Sequence, residues 1–437
     1  MGFIWRRFRN PSLHVKASRH LAAKPRLEVL EWRTAPAVFT VNTTDDTIEA
    51  ARDGSGLDAS GNISLRSAIM AVNDLGGENT VIVPAGTYQL TIAPGNSDGD
   101  DSGDLTVGNG VEQINLSIEG AGSDSTIIDA NYLDRGFDIG FFTTVSISGL
   151  AVMNAQGTFG GAIYNAGHLT LNNDLLTNNS ATFGGGIFGN GPVTILTSTL
   201  AGNVADQGGA ILNSGTMTIA DTTVEGNFGS GQGGGIFNNS MLTLTGSTIA
   251  GNSTPDPFGR GGGIFNQSSM ALTNDTIANN TASQGGGIDV VGFGTSVFTN
   301  VTIAGNIATG TSGGGGLFVE SGGSPTVQMK NTLIALNNAA MGADVHGVVV
   351  SMGHNLIGDG TGGSGFVESD FVGTTDNPID PTLGPLQDNG GPTQTMALQE
   401  GSLAIANGDP DGAPLTDQRG VARGDHVDIG AFQFDNG

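Results

Sequence analysis

The sequence contains no cysteine, so no disulfide holds the chain and cysteine usage says nothing of its redox compartment. Aromatic residues make up only 6% of it, while 74 positions are glycine, poor material for an ordinary globular core. Positive charge is scarce and lopsided. Eight of the 15 basic residues fall in the first 33 positions: Arg6, Arg7, Arg9, Lys16, Arg19, Lys24, Arg26 and Arg33. From Ala35 onward seven basic residues face 39 carboxylates, a net charge near -32. Such a body repels nucleic acid and anionic lipid, and holds an acidic polymer only through bound cations. No apolar run approaches the ~20 residues of a membrane-spanning helix. The glycines cluster and do not recur every third residue, which excludes a collagen helix.

What is present is repetition. A glycine cluster runs into a short apolar strand about seven times, as in Gly160-Gly161-Ala162-Ile163-Tyr164-Asn165 and Gly234-Gly235-Ile236-Phe237-Asn238. The anchoring aliphatics are Ile163, Ile187, Ile211, Ile236, Ile264, Ile288 and Leu317, evenly spaced apart from a few longer steps. A period of roughly 24 residues holding only short β segments is one coil of a solenoid. Between the glycines lie alternating strands whose apolar residues point inward: Leu169, Leu171 and Leu176, then Val193, Ile195 and Leu200, and so on. Asn179, Asn203, Asn227, Asn252, Asn280, Asn306 and Asn338 close successive coils, and at a coil spacing of about 4.8 Å their amides are expected to bond in a ladder. Extra residues in the longer coils, such as 253–260 and 307–312, fall between a ladder asparagine and the next glycines, and so on one edge of the rod.

The candidate functional residues follow from this frame. One position past the inward aliphatic stand Tyr164, Phe188, Phe237 and Phe265, with Asp289 interrupting the series. Two readings stay open: an outward stripe on which sugar rings stack, or rings turned beneath the corner loops. Asp98, Asp100 and Asp104 on a glycine-bent loop are a candidate calcium site. Arg260, beside Asp256 at the end of the longest insertion, is the best placed of three array cations for catalysis, the others being Arg135 and Lys330. The six histidines have no metal-ligand spacing, and no Ser-His-Asp grouping emerges. Ser64 is placed to cap a helix that buries Leu65, Ala68, Ile69 and Val72 and stops by Gly76.

Several stretches carry a family resemblance. Arg26-Leu27-Glu28-Val29-Leu30-Glu31-Trp32-Arg33 resembles the leader of exported surface proteins of planctomycete-type bacteria. Asn62-Ile63-Ser64-Leu65-Arg66-Ser67-Ala68-Ile69 resembles the Cys-Ser-Leu-Arg-Glu-Ala-Ile signature ahead of bacterial right-handed parallel β-helices, with Ile63 for cysteine and Ser67 for glutamate. The coil from Val81 to Leu90 looks like the opening coil of pectate-lyase-like proteins. The closing Asp417-Gln418-Arg419-Gly420 and Val427-Asp428-Ile429-Gly430-Ala431-Phe432 are similar to the terminal signature of the same surface proteins, with Gln433 for glutamate. The resemblance implies an all-β, right-handed, single-stranded parallel β-helix of 11–13 coils with a short N-terminal capping helix. The expected divisions are 1–36, a basic export leader; 37–79, strand and capping helix; 80–345, the β-helix; and 346–437, irregular coils and cap. In that cap Asp417, Arg419, Arg423 and Asp428 are expected to fasten the last coil.

A secreted or cell-surface monomer is expected, acting without catalysis in adhesion, polysaccharide binding or envelope structure, with no cofactor or with calcium. The alternative is a polysaccharide lyase or glycoside hydrolase. The lyases of this fold use an arginine or lysine beside calcium; the hydrolases pair aspartates with Gly-His-Gly and Arg-x-Lys strings that this sequence lacks.

Overall fold

A computed structural model describes residue 2 and residues 36–95, 99–108, 110–321 and 326–434. The rest of the basic leader and Asp98 lie outside these residues. Three parallel sheets, A, B and C, receive one strand each per turn. Sheet A has twelve strands, from Ala37–Thr40 to Val350–Ser351; sheet B has twelve, from Gly86–Gln89 to Phe371–Val372; and sheet C has eleven, from Leu105–Val107 to Gly363–Ser364. The strand count of sheet C makes eleven turns. Each residue pairs with its counterpart one coil on, as in Leu169 with Val193 and Leu171 with Ile195. The inward columns are fully buried: Leu171, Ile195, Ile219, Leu244, Leu272, Phe298 and Met329 in sheet A, and Leu200, Val224, Ile249, Ile277, Ile303 and Ile334 in sheet B. Each such side chain contributes about 1.5–3 kcal/mol on burial, but only when coils above and below cover it.

At the corner after sheet B the chain turns through a left-handed residue, in order Asn178, Gly202, Gly226, Gly251, Asn279, Gly305 and Leu336. The residue that follows is the ladder amide. Asn203 Oδ1 accepts both the backbone N–H and the Nδ2 of Asn179, at 3.1 and 3.0 Å, while its own Nδ2 donates to the Leu176 carbonyl at 2.9 Å. The pattern repeats through Asn227, Asn252, Asn280 and Asn306. The last rung corrects the sequence reading. Asn306 donates to Asn337, at 2.9 Å from both nitrogens, and not to Asn338. The rung stands three positions past the inward aliphatic of sheet B, and from Ile334 that position is Asn337; Asn338 is exposed.

A second ladder runs at the corner between sheets A and B, where side-chain oxygens of Asp174, Ser198, Thr222, Ser247 and Asp275 accept backbone N–H groups from the preceding coil. The last rung at each corner is a carboxylate, which accepts without needing to donate onward; the second ladder reaches its own after a gap at Val301, resuming where the Thr332 N–H donates to Asn355 Oδ1. Asn337 donates twice to Asp344 Oδ1, and Asn355 twice to Asp370 Oδ1.

Both ends of the chain depart from the coil pattern. Helix α1, Leu65–Leu75, has Ser64 as N-cap in a capping box completed by Ser67, and Gly76 at φ 61° ends it. Its Ala68, Ile69 and Val72 share a core with Val81, Leu105 and Val107 of the first coil. The C-terminal segment, residues 374–434, corrects the expected cap: it doubles back over the outside of sheet B. Thr393 and Gln418 bond to Gly246 and Ser247, Arg423 Nη2 to Asn274 Oδ1 at 2.9 Å, and Ala431 N–H to Thr302 Oγ1 at 2.9 Å. Leu398, Ala404, Ile429 and Phe432 pack on Leu333 and Leu356, while Met396 covers Ala278 and Ala304. Arg419 pairs with Asp417 at 2.8 Å and lies 3.6 Å above the Phe432 ring. Arg423 meets the carbonyl of Asp428 at 3.2 Å, not its carboxylate. Arg423 and the Asp428 carbonyl therefore fasten a strap to the flank of the rod, at Asn274 and Asn300, while Asp417 and Arg419 brace the strap itself.

Candidate functional site

The series Tyr164, Phe188, Leu212, Phe237, Phe265, Asp289 and Phe318 does form one register column on the outer side of sheet C. A fourth sheet decides its exposure. After each ladder asparagine the chain runs out as sheet D, seven strands from Gln156–Phe159 to Ile307–Gly313. It then folds back onto sheet C through a left-handed glycine. At Gly160, φ 66°, an added Cβ would lie 2.1 Å from the Ile163 carbonyl oxygen, so no other residue admits this turn. The ends of the sheet D strands consequently cover the column. Phe237 is 6% exposed, Phe265 1% and Asp289 0%. These three candidates present nothing to a ligand, a correction to the outward stripe. Asp289 instead receives Arg260 Nε at 2.9 Å, Arg260 Nη2 at 3.2 Å and Gln284 Nε2 at 3.2 Å. Arg260 also lies 5.4 Å over the Phe265 ring. Asp256 accepts the Phe258 N–H at 2.9 Å in its own exposed turn. Arg260 thus pins sheet D to sheet C, and Asp256 shapes the loop; the two do not form a catalytic pair.

Only the first two rings, Tyr164 and Phe188, stay half-exposed. Along the start of sheet D opens a trough of about 520 Å³, lined by Asp134, Arg135, Gln156, Thr158, Ser180 and Thr182 among others. A smaller pocket of about 190 Å³ shares Asp134 and Arg135 with it and adds Asp104, Asp138 and Ser102. Phe159 stacks on Phe183 with centroids 5.2 Å apart and meets Phe188 edge-on at 5.1 Å. Arg135 stands between the two spaces. Its Nη1 donates to Asp104 Oδ2 at 2.9 Å and Asp138 Oδ2 at 2.5 Å, its Nε donates to the Phe159 carbonyl at 3.1 Å, and its guanidinium is 5.4 Å from the Tyr164 ring. Burial pushes the Asp104 carboxyl up to about 7 against the pull of Arg135. The loop that carries Asp104 is held from α1, where Arg66 donates to the carbonyls of Asp104 and Gly103 at 2.9 and 2.8 Å.

The proposed calcium ligands are drawn to different partners. Asp100 accepts from Arg52 and Asn73, at 2.9 and 3.0 Å, and Asp104 belongs to Arg135. Among the described residues no group of three or more histidine, aspartate or glutamate side chains is placed to hold a metal. Sequence reasoning missed Asp138 and Asp134. Asp138 pairs with Thr106 across a coil longer than those of the regular array, as the register of Leu105 with Phe137 shows, and the shorter repeat hides that neighbourhood.

Buried carboxylates recur beyond the trough. Burial raises Asp174 to about 7 and Asp289 and Asp344 to about 6, and raises Asp275 as well. Each binds its proton more tightly folded than unfolded, where the ordinary value is about 3.9. The folded state therefore holds more protons between about pH 4 and 7, and the stability this brings is lost as pH rises through that window. The thermal midpoint should be several degrees higher at pH 5 than at pH 8. A midpoint that is level or rises from pH 5 to pH 8 contradicts the assignment.

Among the described residues no helix is long and apolar enough to cross a membrane. Comparison with curated protein sequences gives no match. Among solved structures the chain is similar to the crystal structure of pectate lyase Pel9A, at 14% identity over 92% of this chain and 97% of that one, with a TM-score of 0.45. Residues 186–361 match the family described as right-handed beta helix region, and three continuous parallel sheets around one core give the chain the fold of a parallel β-helix.

Proposed function

We propose that this is an extracellular β-helix protein that binds polysaccharide in the trough beside Arg135 without cleaving it. One observation carries the reading: a trough with a polar floor of Gln156, Thr158, Ser180 and Thr182. A row of hydroxyl and amide groups suits the hydroxyls of sugars. A role without catalysis is supported by the arginines. Arg135 is paired with Asp104 and Asp138, and Arg260 with Asp289 and Glu320, so both guanidiniums are already engaged within the protein. The resemblance of the leader and the strongly acidic body support export.

A second reading, glycoside hydrolysis, is favoured by one feature. Asp104 and Asp138 are held by the same guanidinium nitrogen, and Asp104, raised to about 7, pairs a protonated acid with a neighbouring carboxylate.

The purified chain, run through gels containing dissolved polysaccharides, separates the two readings when polymer length is followed as well. Retention without shortening is expected. Changing Thr158 and Thr182 together to valine should weaken retention about tenfold, the loss expected when two hydroxyl hydrogen bonds go. Shortened polymer would transfer the case to hydrolysis, and retention of no polymer would defeat both readings.

A further inference from the structure

We infer that the polymer taken by this trough is an uncharged polysaccharide and not a polyuronate; the inference rests on the binding reading above. Three carboxylates line the trough and the pocket next to it, Asp134 in both and Asp104 and Asp138 in the pocket, against one cation, Arg135. That cation is already committed. Its Nη1 serves Asp104 and Asp138 and its Nε a backbone carbonyl, so a uronate would have to displace an existing ion pair to reach it. The other two array cations are engaged elsewhere, Arg260 with buried Asp289 and Lys330 with Asp409. Taken together the two spaces are therefore negative whether Asp104 is protonated or not: a uronate polymer brings one like charge per residue against them. Asp104 and Asp138 are partly buried, and mobile ions screen such charges less well than they do over the Debye length of about 8 Å in open solution. The remaining lining groups are neutral. Thr158, Ser180 and Thr182 offer hydroxyls and Gln156 an amide, which match a polymer whose recognition groups are themselves hydroxyls.

The test compares glucomannan and mixed-linkage β-glucan with polygalacturonate and alginate, each with chelator and with calcium, on the full chain and on Asp134→Asn. In chelator at least one neutral polymer should be retained at least ten times more strongly than either polyuronate. Asp134→Asn should narrow that gap several-fold by removing one like charge. Polyuronate retained better than every neutral polymer, with chelator or only with calcium, overturns the inference and leaves the binding reading standing. Retention of no polymer overturns both. Shortening of a retained neutral polymer overturns binding without cleavage while upholding the uncharged class.

Discussion

Asn252→Ala should lower stability by about 3–5 kcal/mol. Its side chain is fully buried and works in both directions along the ladder. Oδ1 accepts the backbone N–H and Nδ2 of Asn227 at 3.0 and 2.9 Å, and Nδ2 donates to the Val224 carbonyl and Asn280 Oδ1, both at 3.0 Å. Alanine leaves two donors and two acceptors short of a partner in a corner closed to water, at roughly 1–3 kcal/mol for each group that finds no substitute. Asn252→Asp should be comparably costly, since it retains the acceptor, removes the donor and sets a carboxylate against Asn280 Oδ1. Asn338→Ala supplies the contrast, because that exposed residue is outside the ladder and its loss should be near zero. Urea unfolding followed by circular dichroism measures all three. Equal losses at Asn252 and Asn338 would refute the ladder assignment.

Arg66→Ala should cost a similar ~3–5 kcal/mol, concentrated at the N-terminal end. Arg66 is 1% exposed and meets Asp46 through Nε at 2.6 Å and Nη2 at 3.3 Å. Asp46 is also bonded by the N–H groups of Thr91 and Ile92, at 2.8 and 3.0 Å, so one ion pair joins the entry loop, α1, the first coil and the Asp104 loop. Without the guanidinium, Asp46 is a buried charge lacking its counterion and two carbonyls lose their donor. Hydrogen exchange should accelerate over 65–75 and 99–108 while residues 246–335 stay protected. Polysaccharide retention should fall too, because Asp104 and Arg135 lose their fixed relation; Asn252→Ala, many coils away, should leave retention intact. Unchanged exchange over 99–108 would show that Arg66 does not hold the site.

The coil was legible in the sequence because successive coils of the array repeat the same contacts at a nearly constant interval. The capping helix was legible from Ser64, its apolar face and Gly76. Alternation correctly turned Phe237 and Phe265 away from the core, yet it is blind to a fourth sheet closing over them. The site escaped because the coils around it are unequal: Leu105 pairs with Phe137 and Phe137 with Ile163, each a longer step than the one from Ile163 to Ile187. No fixed period brings Asp104, Arg135 and Asp138 together. The position of the strap left only a faint trace. Under it sheet B presents Thr248 and Ala250, Thr276 and Ala278, Thr302 and Ala304, all buried, where earlier coils present Leu175 and Thr177 or Thr223 and Glu225. Small outward residues read as ordinary strand ends until something is seen lying on them.

That strap changes how the rod comes apart. A stack of repeats held only by neighbours frays coil by coil, its stability a sum of local terms. Here single side chains of the strap and of the coils beneath it meet partners 128 to 171 positions away, on several coils at once. The coils beneath cannot open separately without releasing the same segment, so the stretch from Gly246 to Leu333 melts as one cooperative block while the uncovered coils before it do not share that lock. Contacts of such sequence separation also form late. The segment that follows the last coil therefore completes coils formed well before it in the chain, and a stack assembled without it is a looser object made of the same coils.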